Sequence, residues 1–271
     1  MAKYRALLTA DQKLYVISLA SIVAIVLNTV IITVLAYSGV SIVILRLAAL
    51  FSVFARSLIL HIYVRLNYRF IDYKETPDNE ALNKRWDALY LQILQAIHRG
   101  APVIIATIFT SLQMVSVYSI FHMVVAGISH IVGIFTSGLS ASFGDVIVRN
   151  EQAVLQKAYQ EFELMFYALI SWVFSCTMVL IMPFIKLYTA GITDVNYNIP
   201  LFGFLFTLDG LLYSLKTPQG MLVISAGLYR ETRVQTTIQG LIAVVGGVIF
   251  VQFWGLAGIL AGSILSNIYR D

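Results

Sequence analysis

Charge is what this chain has least of. Asp, Glu, Lys and Arg make up 12% of its 271 residues, where an ordinary soluble domain carries about 25%. With 59% hydrophobic residues and a mean hydropathy of +0.84, the polar surface is too small to wrap a water-soluble core, so lipid is the expected solvent. Cysteine occurs once, as Cys176 inside an apolar run, which excludes an intrachain disulfide and suits a small core residue. No Lys/Arg cluster is interleaved with aromatics, so nucleic acid is not an expected partner. Metal-ligand spacing, a nucleophile elbow and a glycine-rich phosphate loop are missing. No metal or cofactor is therefore expected, and the chain does not read as an enzyme. Strand-like alternation is missing too, which leaves helices to cross the bilayer.

A helix needs about 20 apolar residues to span the hydrocarbon. Seven stretches meet or approach that length: 14–37, 40–66, 101–119, 121–147, 162–188, 199–228 and 234–253. An eighth, 255–269, ends with the chain. The expected fold class is all-α, a polytopic transmembrane bundle of about eight spans. Lys3, Arg5, Asp11 and Lys13 precede the first run, which is longer than the apolar core of a cleavable signal (about 7–15 residues) and reads as an ordinary first span.

Cations set the orientation. With the N-terminus in the cytoplasm, the inner segments hold fourteen of the 18 Lys and Arg residues: Lys3, Arg5, Lys13, Arg65, Arg69, Lys74, Lys84, Arg85, Arg99, Arg149, Lys157, Arg230, Arg233 and Arg270. The outer loops hold Lys186, and Arg46, Arg56 and Lys216 fall within spans. The long connection 67–100 is then cytoplasmic. Thr76-Pro77 is a helix start, because proline's missing N–H costs nothing at the first helical position. Leu82, Trp86, Leu89, Ile93 and Ile97 recur every three or four residues after it. That pattern predicts an amphipathic helix in the inner headgroup region before the chain re-enters at Pro102.

Polar residues inside apolar spans are the candidate functional groups. Arg56 lies about ten or more residues from either end of its span, at about 1.5 Å per residue too deep to snorkel easily. Its planar fork suits a phosphate or carboxylate. Arg46, about six residues (roughly 9 Å) from the outer end, can either snorkel to headgroups or join it. Asp209, Tyr213 and Lys216 share one helix face, with the two charges about 10 Å apart along the axis. Pro218 takes away the amide that the Ser214 carbonyl would accept, which predicts a kink there. Either Asp209 and Lys216 line a transport path, or they pair with neighbouring helices. His130 and His122 are candidates for proton relay or simple interhelical bonding, and His61 for an interfacial place. Gln113, read as mid-span, suits interhelical bonding. The small-residue runs Thr136–Gly144 and Gly258–Gly262 let helix backbones approach closely.

Short phrases carry a family resemblance. The opening Tyr4-Arg5-Ala6-Leu7-Leu8-Thr9-Ala10-Asp11-Gln12-Lys13-Leu14-Tyr15 resembles the cytoplasmic approach to the fifth helix of bacterial polysaccharide (O-antigen type) flippases. The run Ser140-Ala141-Ser142-Phe143-Gly144-Asp145 through Glu161-Phe162-Glu163 resembles them as well. Trp254-Gly255-Leu256-Ala257-Gly258-Ile259 looks like the turn into the family's twelfth helix. Their superfamily also holds multidrug exporters and peptidoglycan-precursor flippases.

The resemblance implies two six-helix lobes around a cationic cavity. Alternating access would carry an undecaprenyl-pyrophosphate-linked oligosaccharide to the outer leaflet of the bacterial cytoplasmic membrane. On that template 1–66 holds the last two helices of the first lobe, 67–100 the amphipathic interlobe linker and 101–271 a second lobe whose last helix is cut short. The chain then reads as a fragment truncated at its N-terminus. Its implied partners are the lipid-linked oligosaccharide, the bilayer and cell-surface polysaccharide assembly proteins. Depth and chemistry make Arg56, Lys216 and Arg46 the candidate cargo ligands, with Asp209, Tyr213 and His130 as candidates for coupling or helix pairing. The rival readings are a cation-coupled multidrug exporter of the same superfamily, a membrane-embedded polysaccharide-modifying enzyme and a scaffolding role.

Overall fold

A computed structural model describes residues 2–68, 85–149, 151–193 and 195–270. Among these the chain is helical throughout, with ten α-helices and no strand. Six of the helices are long and apolar enough to cross a membrane, compatible with a multi-pass membrane protein. The helices leave large apolar side chains outward, such as Phe54 (72% exposed), Trp172 (68%) and Val179 (72%). Lipid tails solvate such a surface without penalty, whereas water would not.

The chain divides into two compact units, Met1–Pro77 and Asp78–Asp271. In the first, a short helix α1 (Ala2–Ala10) precedes a hairpin of α2 (Leu14–Tyr37) and α3 (Ile42–Asn67). The fully buried Leu8 of α1 packs with Val16, Ile17, Leu60 and Val64, so the short helix is docked on the hairpin. Tyr4 bonds His61 Nδ1 at 2.6 Å, which gives His61 a structural place. At the elbow after α1, Lys13 Nζ meets Asp11 Oδ2 at 2.7 Å, and the Tyr68 hydroxyl at the end of α3 donates to the same carboxylate.

Lys13 and Tyr68 together hold the Asp11 carboxyl below its ordinary range, while Asp11 raises the Lys13 ammonium. Asp11's contribution is therefore present above the ordinary carboxylate range and is lost as pH falls through its lowered value. Lys13's is present below the ordinary lysine range and is lost as pH rises through its raised value. A spin-label pair on α1 and α3 is expected to show a distance distribution that broadens in acid, below about pH 4. In Asp11→Asn the breadth should not change with pH. A native distribution unchanged in acid would show that this clasp does not hold the elbow.

The second unit contains α4 (Arg85–Phe109), α5 (Leu112–Val148), α6 (Gln152–Tyr188), α7 (Pro200–Leu215), α8 (Thr217–Ala226), α9 (Arg233–Trp254) and α10 (Leu256–Arg270). Its core is aromatic and aliphatic, built from α5, α6, α7 and α10. Phe121, Phe174, Phe206, Ile170, Ile181 and Leu260 are essentially unexposed. Phe121 stacks on Phe206 at 5.5 Å between centroids, and Tyr118 meets Phe206 edge-on at 5.0 Å, both favourable ring geometries.

Several expectations shift here. The linker's amphipathic pattern and the stretch after Pro102 belong to one helix: α4 runs unbroken through that proline and is long and apolar enough to cross a membrane. Thr76-Pro77 and Leu82 lie outside the described residues. The next break falls at Thr110-Ser111, where the Ser111 hydroxyl accepts from the Met114 amide at 3.3 Å and caps α5. Gln113 consequently sits in the first turn of α5, exposed, and not at mid-span. Of the eight stretches counted from sequence, three are not full spans as counted: 101–119 is interrupted at Thr110-Ser111, and two others fall short. The 199–228 run is split into helices of 16 and 10 residues, and α10 has 15.

The small-residue run Gly258–Gly262, in the first half of α10, does pack closely. Gly255, at φ 55°, turns the chain from α9 into α10. A Cβ on Gly262 would lie 2.5 Å from the Gly247 amide nitrogen and 2.8 Å from the Gly246 carbonyl carbon, so the two helices touch backbone to backbone.

Candidate functional site at a helix break

The break between α7 and α8 follows from Pro218, as the sequence predicts. Without a proline N–H, the Ser214 carbonyl accepts instead from the Lys216 amide, and α8 restarts with Gly220 N–H donating to the Lys216 carbonyl at 3.0 Å. Lys216 is thus the hinge residue itself, in non-propagating helical geometry.

Around it lies a polar network formed by three helices. On α10, Ser263 and Asn267 are one turn apart and face α7. The Ser263 hydroxyl donates to Asp209 Oδ1 at 2.7 Å, and Asn267 Nδ2 donates to the same oxygen at 2.9 Å. The other end of the Asn267 amide accepts from Lys216 Nζ at 2.8 Å and from Gln239 Nε2 of α9 at 3.3 Å. Ser266 in turn donates to the Gln239 carbonyl at 2.8 Å. Asn267 and Ser266 are wholly buried. Asp209 and Lys216, too far apart along the helix to touch, are therefore joined through one neutral carboxamide.

The third member of the polar face, Tyr213, presents its ring to the Lys216 ammonium at 4.5 Å, a cation–π distance. The same ring stacks on His98 of α4 at 6.2 Å and 14°. His98 Nδ1 is buried with no hydrogen-bond partner among the described residues. Burial in an apolar bundle makes each polar contact here matter more than it would in water.

The remaining sequence candidates fall elsewhere. Arg56 lies on α3 in the first unit, half-buried, with its Nε shielded from solvent and lacking a hydrogen-bond partner. Arg46 is on the same helix, but its side chain lies outside the described residues. His130 is exposed on α5, and His122 is exposed and stacks on Tyr118 at 5.6 Å. Neither joins the network. A cavity of about 200 Å³ opens at the C-terminal end of α6, lined by Lys186, Thr189, Asn196, Tyr197 and Asn198. Tyr197 is anchored there by Ser116 at 2.9 Å. No group of three or more His, Cys, Asp or Glu that could hold a metal occurs among the described residues.

Sequence reading missed His98, Gln239, Ser263 and Asn267. Gln239 sits in the second turn of α9 and Asn267 in the last turn of α10, near helix ends where polar residues attract no notice. A helical wheel of 256–270 would have placed Ser263, Ser266 and Asn267 on one face and flagged it. No protein-family model, curated protein or solved structure matches this chain.

Proposed function

We propose that the protein translocates an anionic, lipid-linked cargo across a membrane, namely an undecaprenyl-pyrophosphate-linked oligosaccharide on its way to surface polysaccharide. The observation that carries the reading is a cationic residue placed at a helix break within an apolar bundle. Discontinuous helices in transporters gather substrate and coupling groups at such breaks. Lys216 suits the pyrophosphate because its hydrogen-bonded neighbour Asn267 is a neutral amide, which orients the ammonium without cancelling its charge. In the first unit, Arg56, whose Nε has no hydrogen-bond partner among the described residues, is proposed in its own right as a cation for the cargo, as is Arg46.

The finer architecture belongs to the same proposal: about eight spans of a two-lobe exporter in the bacterial cytoplasmic membrane, with the N-terminus inside. The polysaccharide assembly proteins are its partners, and the work is transport rather than catalysis. Asp209, bonded within the same network, favours a second reading in which the cargo is exchanged for a cation as in multidrug exporters.

The test is complementation. Expressed in a strain unable to flip its lipid-linked oligosaccharide, the protein is expected to restore surface polysaccharide. The Arg56→Ala variant, at equal membrane level, should fall short by about tenfold, the scale of one charge-assisted contact. Failure of the native protein to restore polysaccharide in a strain where it reaches the membrane would refute the flippase reading. Drug efflux in its place would favour the second.

A further inference from the structure

We infer that Asn267 is a positioning residue that links the cargo-binding Lys216 to the half-buried Asp209 carboxylate, so that what happens at Lys216 is felt at Asp209. This rests on the proposed anionic cargo and deepens it. The argument is one of hydrogen-bond polarity. A carboxamide has one accepting end and one donating end. Here the accepting end faces Lys216 and Gln239, and the donating end faces Asp209. Asp209 accepts only, when ionised, and Lys216 donates only, so the pair of charges fixes the amide in this one orientation.

Rotation of the amide by half a turn would set its oxygen against the Asp209 carboxylate and its NH2 against the Lys216 ammonium, two repulsive contacts in place of two attractive ones. Asn267 has no solvent to fall back on, being wholly buried. Ser263 braces the same Asp209 oxygen from one turn away on α10, and Gln239 braces the Asn267 oxygen from α9. The clasp therefore behaves as a single unit across α7, α9 and α10.

A phosphate arriving at the helix break must draw Lys216 Nζ away from the Asn267 oxygen. The amide then loses one of the two charges that orient it, and its hold on Asp209 loosens. Linkage runs both ways: neutralising Asp209 removes the other anchor, lets the amide turn, and releases Lys216 to the phosphate. Asn267 is in this sense the element through which cargo and carboxylate compete for a shared arrangement.

A double-mutant cycle on the purified full chain tests this, with undecaprenyl pyrophosphate in detergent micelles as the probe and binding affinity as the readout. Asp209→Asn should tighten binding. The factor by which it does so should be about tenfold larger with Asn267 present than in the Asn267→Leu background, a coupling typical of residues in one hydrogen-bond network. Through-space attraction between Asp209 and Lys216 persists in both backgrounds and cancels in the comparison.

Should Asn267→Leu fail to fold, Asn267→Asp decides. It keeps an acceptor for Lys216 but sets a second carboxylate beside Asp209, so binding should weaken by about tenfold or more and recover in part when Asp209→Asn is added. Equal factors in both backgrounds, or an Asn267→Asp loss that Asp209→Asn leaves untouched, would overturn the linkage while leaving the cargo reading standing. Absence of binding by the native protein would overturn the cargo reading and the linkage together.

Discussion

Replacement of Lys216 by Ala is expected to abolish the proposed export, with surface polysaccharide in the complementation strain falling to the level of the empty strain. Two losses coincide in that variant. The cation at the helix break disappears, and the half-buried Asp209 remains bonded to Ser263 and Asn267 with the opposite charge in its network gone. Removing one of two opposite charges that share a partly buried hydrogen-bond network leaves the carboxylate less well compensated, so the single variant should also accumulate poorly. The Asp209→Asn, Lys216→Ala pair separates the effects. It removes both charges, leaves an amide that can still bond Ser263 and Asn267, and is expected to restore membrane level and thermal stability without restoring export. Export by the double variant would show that the cation at the break has no part in transport.

The second large effect is expected at the glycines of α9 and α10. A side chain on Gly262 has no room to grow into, because what it would meet is the backbone of Gly246 and Gly247 at 2.5–2.9 Å, not the movable end of a side chain. Gly262→Leu must push the helices apart. Overpacking of this kind costs about 1–3 kcal/mol and occasionally more. Separation of α9 from α10 also pulls Gln239 from Asn267, whose bond already measures 3.3 Å. The upper end of that range is therefore expected, read as a fall in the melting midpoint in detergent. Gly220→Leu is the control, since nothing lies within 4 Å of a Cβ at that position. Equal melting midpoints for the two variants would mean that the close approach carries no stability.

How much of this was legible in the sequence varies with the physics involved. Apolar length marked α2, α3, α6 and α9 to within a few residues or at one end, because crossing the hydrocarbon leaves little freedom in where a span lies. Pro218 marked the α7–α8 break, because a missing amide is a local fact. Pro102, by contrast, does not interrupt its helix: whether a helix absorbs a proline depends on what packs around it, and here α4 carries it through. The Ser111 cap was missed although Ser is a favoured capping residue, because the apolar run on both sides hid it.

At the candidate site, the shared face of Asp209, Tyr213 and Lys216 followed from helical spacing alone. Their partners did not. Ser263 and Asn267 come from a helix more than 50 positions away in sequence, and nothing within 199–228 specifies which neighbour will answer a charge in the span. Spacing could show that Asp209 and Lys216 do not touch directly, but not that an amide would stand between them.

The turn at Gly255 has one further effect. Twelve residues separate it from Asn267, about 18 Å of helix. Since α10 lies flush on α9 along that length, the hairpin is a stiff rod whose bend sets the angle of its far end. The aim of the Asn267 amide is thus decided at the opposite end of the rod, by a residue that touches neither charge.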